Sequence, residues 1–316
     1  MADKLLGFSR RAAYYLLLLV LANLIMYGLV NMAPGSPLES AFSTAEQEEQ
    51  LAEELGLADP FPVRFTKWFG KALTLDFGFS LELQLGTPVM DMVGLRFART
   101  VMLVCFALLV SFLGSMLVSL VLRPDSPLGA TLRPIVLVFS AIPAFLLGYW
   151  TIQGTNRLIH QWVEAGSLEP PFWYPLPSLE GGLVPYLFAA IALAIGDATL
   201  GDLLRGVDRE LATLSGRRYV HAARARGASV VVHGAPEFSI TAVGLFASRL
   251  VFLLGGVVII EKIFNLEGAG ELLWDAAEVR DYSVVVGISF LSTLLVIVAL
   301  FIADLYQFLM DPRVTR

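Results

Sequence analysis

Apolar residues run along this chain in long stretches separated by shorter polar intervals. Six stretches, near 12–32, 100–122, 135–152, 183–200, 238–260 and 284–303, are long enough to cross a bilayer. A hydrocarbon core of about 30 Å needs about 20 helical residues at a rise of about 1.5 Å each. Helix is the spanning form for such isolated runs, because each segment must pair its own backbone groups where no water can. The pattern predicts an all-α polytopic membrane protein with six transmembrane helices, forming one domain over 1–316. The first run follows Arg10 and Arg11 and exceeds the length of a signal-peptide core, so it predicts a retained anchor helix. Pro143 and Pro185 predict kinks in the third and fourth spans.

Two polar intervals are large. Residues 33–99 contain the acidic run Thr44–Gly56, TAEQEEQLAEELG, in which Thr44 and Gln47 form a capping-box pattern and Gly56 a helix stop. The following stretch, PFPVRFTKWFGKAL, is amphipathic and carries Phe61, Phe65, Trp68 and Phe69. It reads either as a helix packed on the membrane surface or as a shelf that receives a partner. Residues 201–237 hold six arginines and no apolar span.

Composition agrees with lipid solvation. The chain is 56% hydrophobic and 16% charged, with a mean hydropathy of +0.71, against about 25% charged in soluble domains. The net charge of −6 offers no basic face to nucleic acid. The distribution of Lys and Arg sets orientation. With the N-terminus cytoplasmic, 13 of the 22 lie inside and eight outside, and five of those eight fall in the long loop 33–99, where the rule has little force. Both termini are therefore expected in the cytoplasm.

Enzyme chemistry finds no support. Cys105 is the only cysteine, and His160, His221 and His233 are scattered, so no metal-ligand spacing exists. There is no H-E-x-x-H, no G-x-S-x-G and no phosphate-binding P-loop, so this chain is expected to bind no ATP or metal of its own. Two charges lie within apolar spans, Asp197 in the fourth and Arg249 in the fifth. Charges at depth pair or face water. These two could form an intramembrane pair, act as a gate or solute contact, or snorkel separately to the interface.

The second polar interval contains SGRRYVHAARARGAS, Ser215–Ser229. Small residues at Ala222, Ala223 and Ala225 permit close approach of another backbone, and Gly216 and Gly227 bracket a short helix. Tyr219, Val220, Ala223, Arg224, Ala225 and Gly227 match the Tyr-Val-x-x-Ala-Arg-Ala-Lys-Gly pattern, with Arg226 in the lysine position. Other stretches match in order: MAPGSP at 32–37, LGLADPFPVRFTKWFG at 55–70, DFGFS at 76–80, SAIPAF at 140–145, GGVVIIEKIFNLEGAGELL at 255–273, RDYSVVVG at 280–287 and DPR at 311–313. On these motifs the chain resembles membrane (permease) subunits of the dipeptide/oligopeptide/nickel ABC importer family. It departs at Arg218, where an acidic residue is usual, and after Gly227, where VVVHGAPEFSIT replaces the common stretch.

The resemblance implies a type I ABC importer permease fold in the cell inner membrane. It implies a second permease subunit completing a pathway for peptides or a similar small solute, and an extracytoplasmic solute-binding protein. It also implies two cytoplasmic ATPase subunits that hold ATP and Mg and dock on the 201–237 loop through Tyr219, Val220, Ala222, Ala223, Arg224, Ala225, Arg226 and Gly227. Ala223 is expected where the two backbones approach. An ATPase-independent channel or secondary transporter is the rival class; it would need no docking helix.

The topology is directly testable. In a Cys105→Ser background, Glu46→Cys should react with an impermeant thiol reagent added outside intact cells. Labelling from the cytoplasmic side alone would overturn the six-span arrangement.

Overall fold

The computed structural model describes residues 2–32, 59–123, 125–166 and 183–310. The acidic run at 44–56, most of MAPGSP and the DPR motif lie outside the described residues. The described chain is helical, with a single isolated antiparallel bridge between Phe79 and Pro88. In order, the helices are α1 (Ala2–Asn31), α2 (Phe61–Ala72), α3 (Val89–Val121), α4 (Pro127–Ser140), α5 (Ala144–Glu164), α6 (Leu183–Ile195), α7 (Thr199–Ser215), α8 (Arg218–Ala225), α9 (Val230–Phe264), α10 (Ala269–Glu278) and α11 (Tyr282–Met310). Four of them, α1, α3, α9 and α11, are each long and apolar enough to cross a membrane. The predicted third and fourth spans are instead bent pairs: α4–α5 turns by 95° and α6–α7 by 54°. Six spans result if each bent pair is one span.

The chain divides into two compact units. One comprises Leu5–Thr100 and Glu267–Val298. Its core joins Phe77, Val89, Val93, Leu272, Ala276, Val284 and Phe290, and the amphipathic α2 packs into it. Trp68 stacks on Tyr27 with ring centroids 4.9 Å apart and meets Phe290 edge-on at 6.0 Å. Thus the aromatic face of α2 packs on this chain's own α1 and α11. Asp281 ties the 80–83 segment to the start of α11. Its Oδ2 accepts from Ser80 Oγ at 2.5 Å and from the N–H groups of Leu81, Glu82 and Leu83 at 3.1–3.2 Å. Its Oδ1 caps α11 by accepting from Val284 N–H at 3.3 Å. Asp281 is fully buried, and these donors satisfy the carboxylate oxygens that water cannot reach.

The other unit comprises Met1–Lys4, Val101–Leu266 and Ala299–Arg316. In it α9 packs against α5, α6, α7 and α8. The two helix breaks meet here and complete each other. Asp197 N–H donates to Ile142 O at 3.0 Å, and Ala198 N–H to Ser140 O at 2.7 Å. Ser140 Oγ accepts from Gly201 N–H, in the first turn of α7, at 2.8 Å. Reciprocally, Asp197 Oδ1 accepts from Ala144 N–H, the first residue of α5, at 3.1 Å. Each break thereby caps the helix that leaves the other, satisfying orphan groups that would otherwise cost several kcal/mol in a bilayer.

The geometry of this junction is demanding. Asp197 and Ala198 hold left-handed φ values of 52° and 59°, a conformation that costs non-glycine residues about 1–2 kcal/mol each. Gly196 is needed for close approach: a Cβ there would stand 2.5 Å from Ala144 Cα. Pro143, which has no N–H to satisfy, precedes α5 at the first break, as the expected kink requires. Pro185 does not kink the fourth span. It stands near the start of the described part of α6, and the bend falls at 196–198 instead. Cys105 is exposed on α3.

Gly196→Ala should therefore destabilise the protein by about 2–3 kcal/mol or more through overpacking against rigid backbone. Gly255→Ala, where an added Cβ meets nothing within 4 Å, should be neutral or slightly stabilising. Thermal aggregation midpoints in detergent compare the two. Equal midpoints would mean that the breaks are not in contact.

Candidate functional site: the short helix α8 and its anchors

The motif residues fall on and around α8, between α7 and α9. Gly216 ends α7, and α8 runs from Arg218 to Ala225 as the bracketing glycines predict. Its end is a Schellman motif. Gly227 N–H donates to Arg224 O at 3.1 Å, and Ala228 N–H to Ala223 O at 2.9 Å. This closure requires the left-handed φ of 68° that Gly227 adopts. Ser229 then caps α9 by accepting from Val232 N–H.

Helical periodicity sorts the motif residues onto two faces. Val220 and Ala223, three apart, are fully buried against this chain. Their helix packs on α7 and α9. Tyr219, Ala222, Arg224, Ala225, Arg226 and Gly227 are exposed. The expectation that Ala223 meets another protein is therefore corrected. Its small side chain lets α8 approach its own neighbours, and the exposed face of α8 is formed by Tyr219, Ala222, Ala225 and the arginines.

A carboxylate that the motif does not include fixes α8 to α9. Glu237 Oε1 accepts from Arg217 Nη2 at 2.7 Å, and Glu237 Oε2 accepts from the Tyr219 hydroxyl at 2.7 Å. This hydrogen bond, with burial and the charge of Glu237, pushes the Tyr219 phenol above its ordinary value of 10.0. The neutral phenol is the donor, so the clamp is intact below that value and is lost only as pH rises through the raised one. Glu237 directly follows Pro236, in the stretch where the sequence departs from the family pattern. An acid there is the signal, but only the fold brings it within reach of α8.

The suggested Asp197–Arg249 pair is not formed. Asp197 is a helix cap, as described above, whereas Arg249 on α9 is ion-paired with Asp202 on α7. Asp202 also binds Arg205, one turn on. The guanidinium of Arg249 lies over the Phe252 ring, 5.0 Å from its centroid. A second anchor forms lower on α7, where Asp208 binds Arg133 of α4 and accepts from Ser119 Oγ of α3 at 2.7 Å. Glu210 accepts from Thr241 Oγ1 of α9 at 2.9 Å. Three acids on α7 thus connect it to α3, α4 and α9. Sequence reasoning passed over Asp202 because it lay beyond the apolar run, in residues assigned to a loop.

Coupling energies discriminate the two pairings. A double-mutant cycle of Asp202→Asn with Arg249→Gln should give an interaction of about 1 kcal/mol or more, and Asp197→Asn with Arg249→Gln about zero. Folded yield and thermal midpoint in detergent supply the data. The opposite ranking would restore the pair suggested by the sequence.

Comparison with known proteins places this geometry. Residues 110–316 match the family model described as "Binding-protein-dependent transport system inner membrane component". The chain is 27% identical over 321 residues to the oligopeptide transport system permease protein AppB of Bacillus subtilis, covering 96% of this chain and 98% of that one. It is 28% identical over 306 residues to the glutathione transport system permease protein GsiC of Escherichia coli K12, covering 94% of each. Spanning-length helices, an all-helical described fold and a family match over more than half the chain agree. This chain belongs to the family of binding-protein-dependent transport system inner membrane components, multi-pass permease subunits of ABC importers rather than enzymes.

Proposed function

We propose that this permease subunit pairs with a second one to form the membrane pathway for peptides or a similar small solute. Two cytoplasmic ATPases, which carry the ATP and Mg, dock on the loop centred on α8. An extracytoplasmic binding protein delivers the solute, and both termini are cytoplasmic. The peptide class rests on the names of the relatives, which are permeases of oligopeptide and glutathione transport systems.

The observation that carries the docking reading is the two-faced character of α8. One face, Val220 and Ala223, is locked into the protein, and Glu237 clamps the helix to α9. The other face presents small Ala222 and Ala225 beside exposed Arg218, Arg224 and Arg226. A helix held at one face moves as a unit with the spans to which it is fixed, which a lever between ATPase and pathway requires. ATP-driven closure of the ATPases would shift α8, and α7 and α9 would carry that shift into the membrane.

The two faces give separable mutants. Ala222→Trp and Ala225→Glu should insert and fold normally but lose co-purification of the ATPases and solute uptake together. Ala223→Glu should instead lower the amount of folded protein, because it buries an unpaired charge at a cost of about 3 kcal/mol or more. Pull-down of the ATPases beside uptake into vesicles reads both effects. Normal ATPase binding by both exposed-face variants would refute docking at α8.

A further inference from the structure

The exposed face of α8 carries charge of one sign. Residues 209–241, from the last turns of α7 through the first turns of α9, hold five arginines and two glutamates. Both acids are engaged within the chain: Glu237 by Arg217 and Tyr219, and Glu210 by Thr241. Widening the count to 197–250 adds Asp197, Asp202 and Asp208 against Arg205 and Arg249, and seven arginines still stand against five acids.

The arginines of α8 differ in what their positions explain. Arg224 stands in the last turn, where a cation favours the helix, and Arg226 at the C-cap donates from Nε to Ala222 O at 3.2 Å. Arg217 is taken by Glu237. Arg218 has no such role. It occupies the first turn, where a cation is unfavourable for the helix itself. It is exposed, and its side chain makes no hydrogen bond or ion pair among the described residues. Membrane orientation needs only a number of cations on this side, not one in this place. Spacings of four and three put Arg218, Ala222 and Ala225 on one line along α8, opposite buried Val220 and Ala223. This ridge has a charge at one end and only methyl groups along the rest. It lacks the large apolar side chains by which a helix lies on a lipid surface.

We infer that the ATPase surface which receives α8 is acidic and sets a carboxylate against Arg218, while Ala222 and Ala225 pack against it. The inference rests on the docking reading above and deepens it by naming the chemistry of the partner surface. An acidic residue is usual at this position of the family pattern, so the charge is reversed here. A surface built for an acid would repel Arg218, so the pairing also selects which ATPase this permease accepts.

Carbodiimide coupling in the assembled complex tests the pairing. In nanodiscs of phosphatidylcholine, Arg218→Lys places a primary amine on the ridge. A carbodiimide joins that amine to a carboxylate in direct contact as an amide, taking up the water as a urea. Peptide mass mapping should find position 218 joined to an Asp or Glu of an ATPase subunit, and the unsubstituted complex, whose guanidinium does not couple, should give no such product. Arg218→Glu should lower retention of the ATPases about tenfold or more, and Arg218→Lys should keep most of it. Rising salt should weaken retention by the unsubstituted complex more steeply than by Arg218→Gln. No coupled product with the ATPases bound, or full retention by Arg218→Glu, would overturn the inference. So would a loss that appears only when phosphatidylglycerol is added to the discs, which would assign Arg218 to lipid headgroups. Ala222→Trp separates this failure from that of docking. If it blocks the ATPases while Arg218→Glu does not, the acidic surface alone is refuted; if both variants retain them, docking at α8 falls as well.

Discussion

Backbone pairing in a medium without water governs this structure. A helix that breaks inside a bilayer exposes N–H and C=O groups that lipid cannot satisfy. Here two breaks are placed against each other, at 140–144 and 196–198, and exchange hydrogen bonds through both backbone and side chain. The bends of 95° and 54° both fall at this junction, the first of them beside Pro143. The contact tolerates two strained left-handed residues because four hydrogen bonds and a Gly196–Ala144 approach determine it.

From that junction α7 leaves at an angle to α6, and the position of α8 depends on α7. The acids of α7 bind α3, α4 and α9, so the helix that precedes α8 is held from three sides. Glu237 then fixes α8 to α9. Rigidity at this point matters physically. Under the proposed docking at α8, a flexible linker would dissipate imposed movement, whereas paired charges and packed small residues would transmit it. The family pattern places an acid before the coupling tyrosine, and this chain has Arg218 there and an acid at Glu237. Glu237 takes up the Tyr219 hydroxyl from the neighbouring helix.

The same pairing logic separates the two acids near the junction. Asp197 acts locally as a cap, and Asp202 acts across helices as a counter-charge. They are five residues apart, but one lies in the break and the other on a helix face turned toward α9. Their roles follow from backbone direction, not from hydrophobicity.

The sequence by itself determined the solvent and the class of this protein. Long apolar runs admit only helices in lipid, and the ordered motifs up to RDYSVVVG identify the permease family. The short helix between Gly216 and Gly227 was also legible, because glycine at a left-handed helix end is a local requirement. Tertiary structure decided what depends on distance between segments remote in the chain. It placed the break of the fourth span at 196–198, turned Ala223 inward, paired Arg249 with Asp202 rather than Asp197, and brought Glu237 to Tyr219. It also assigned Asp281 to hold a segment about 200 residues earlier in the chain. Periodicity and motif report local backbone preference and the medium around it. The partner of a buried charge or an open backbone group is selected by three-dimensional proximity, which no local pattern encodes.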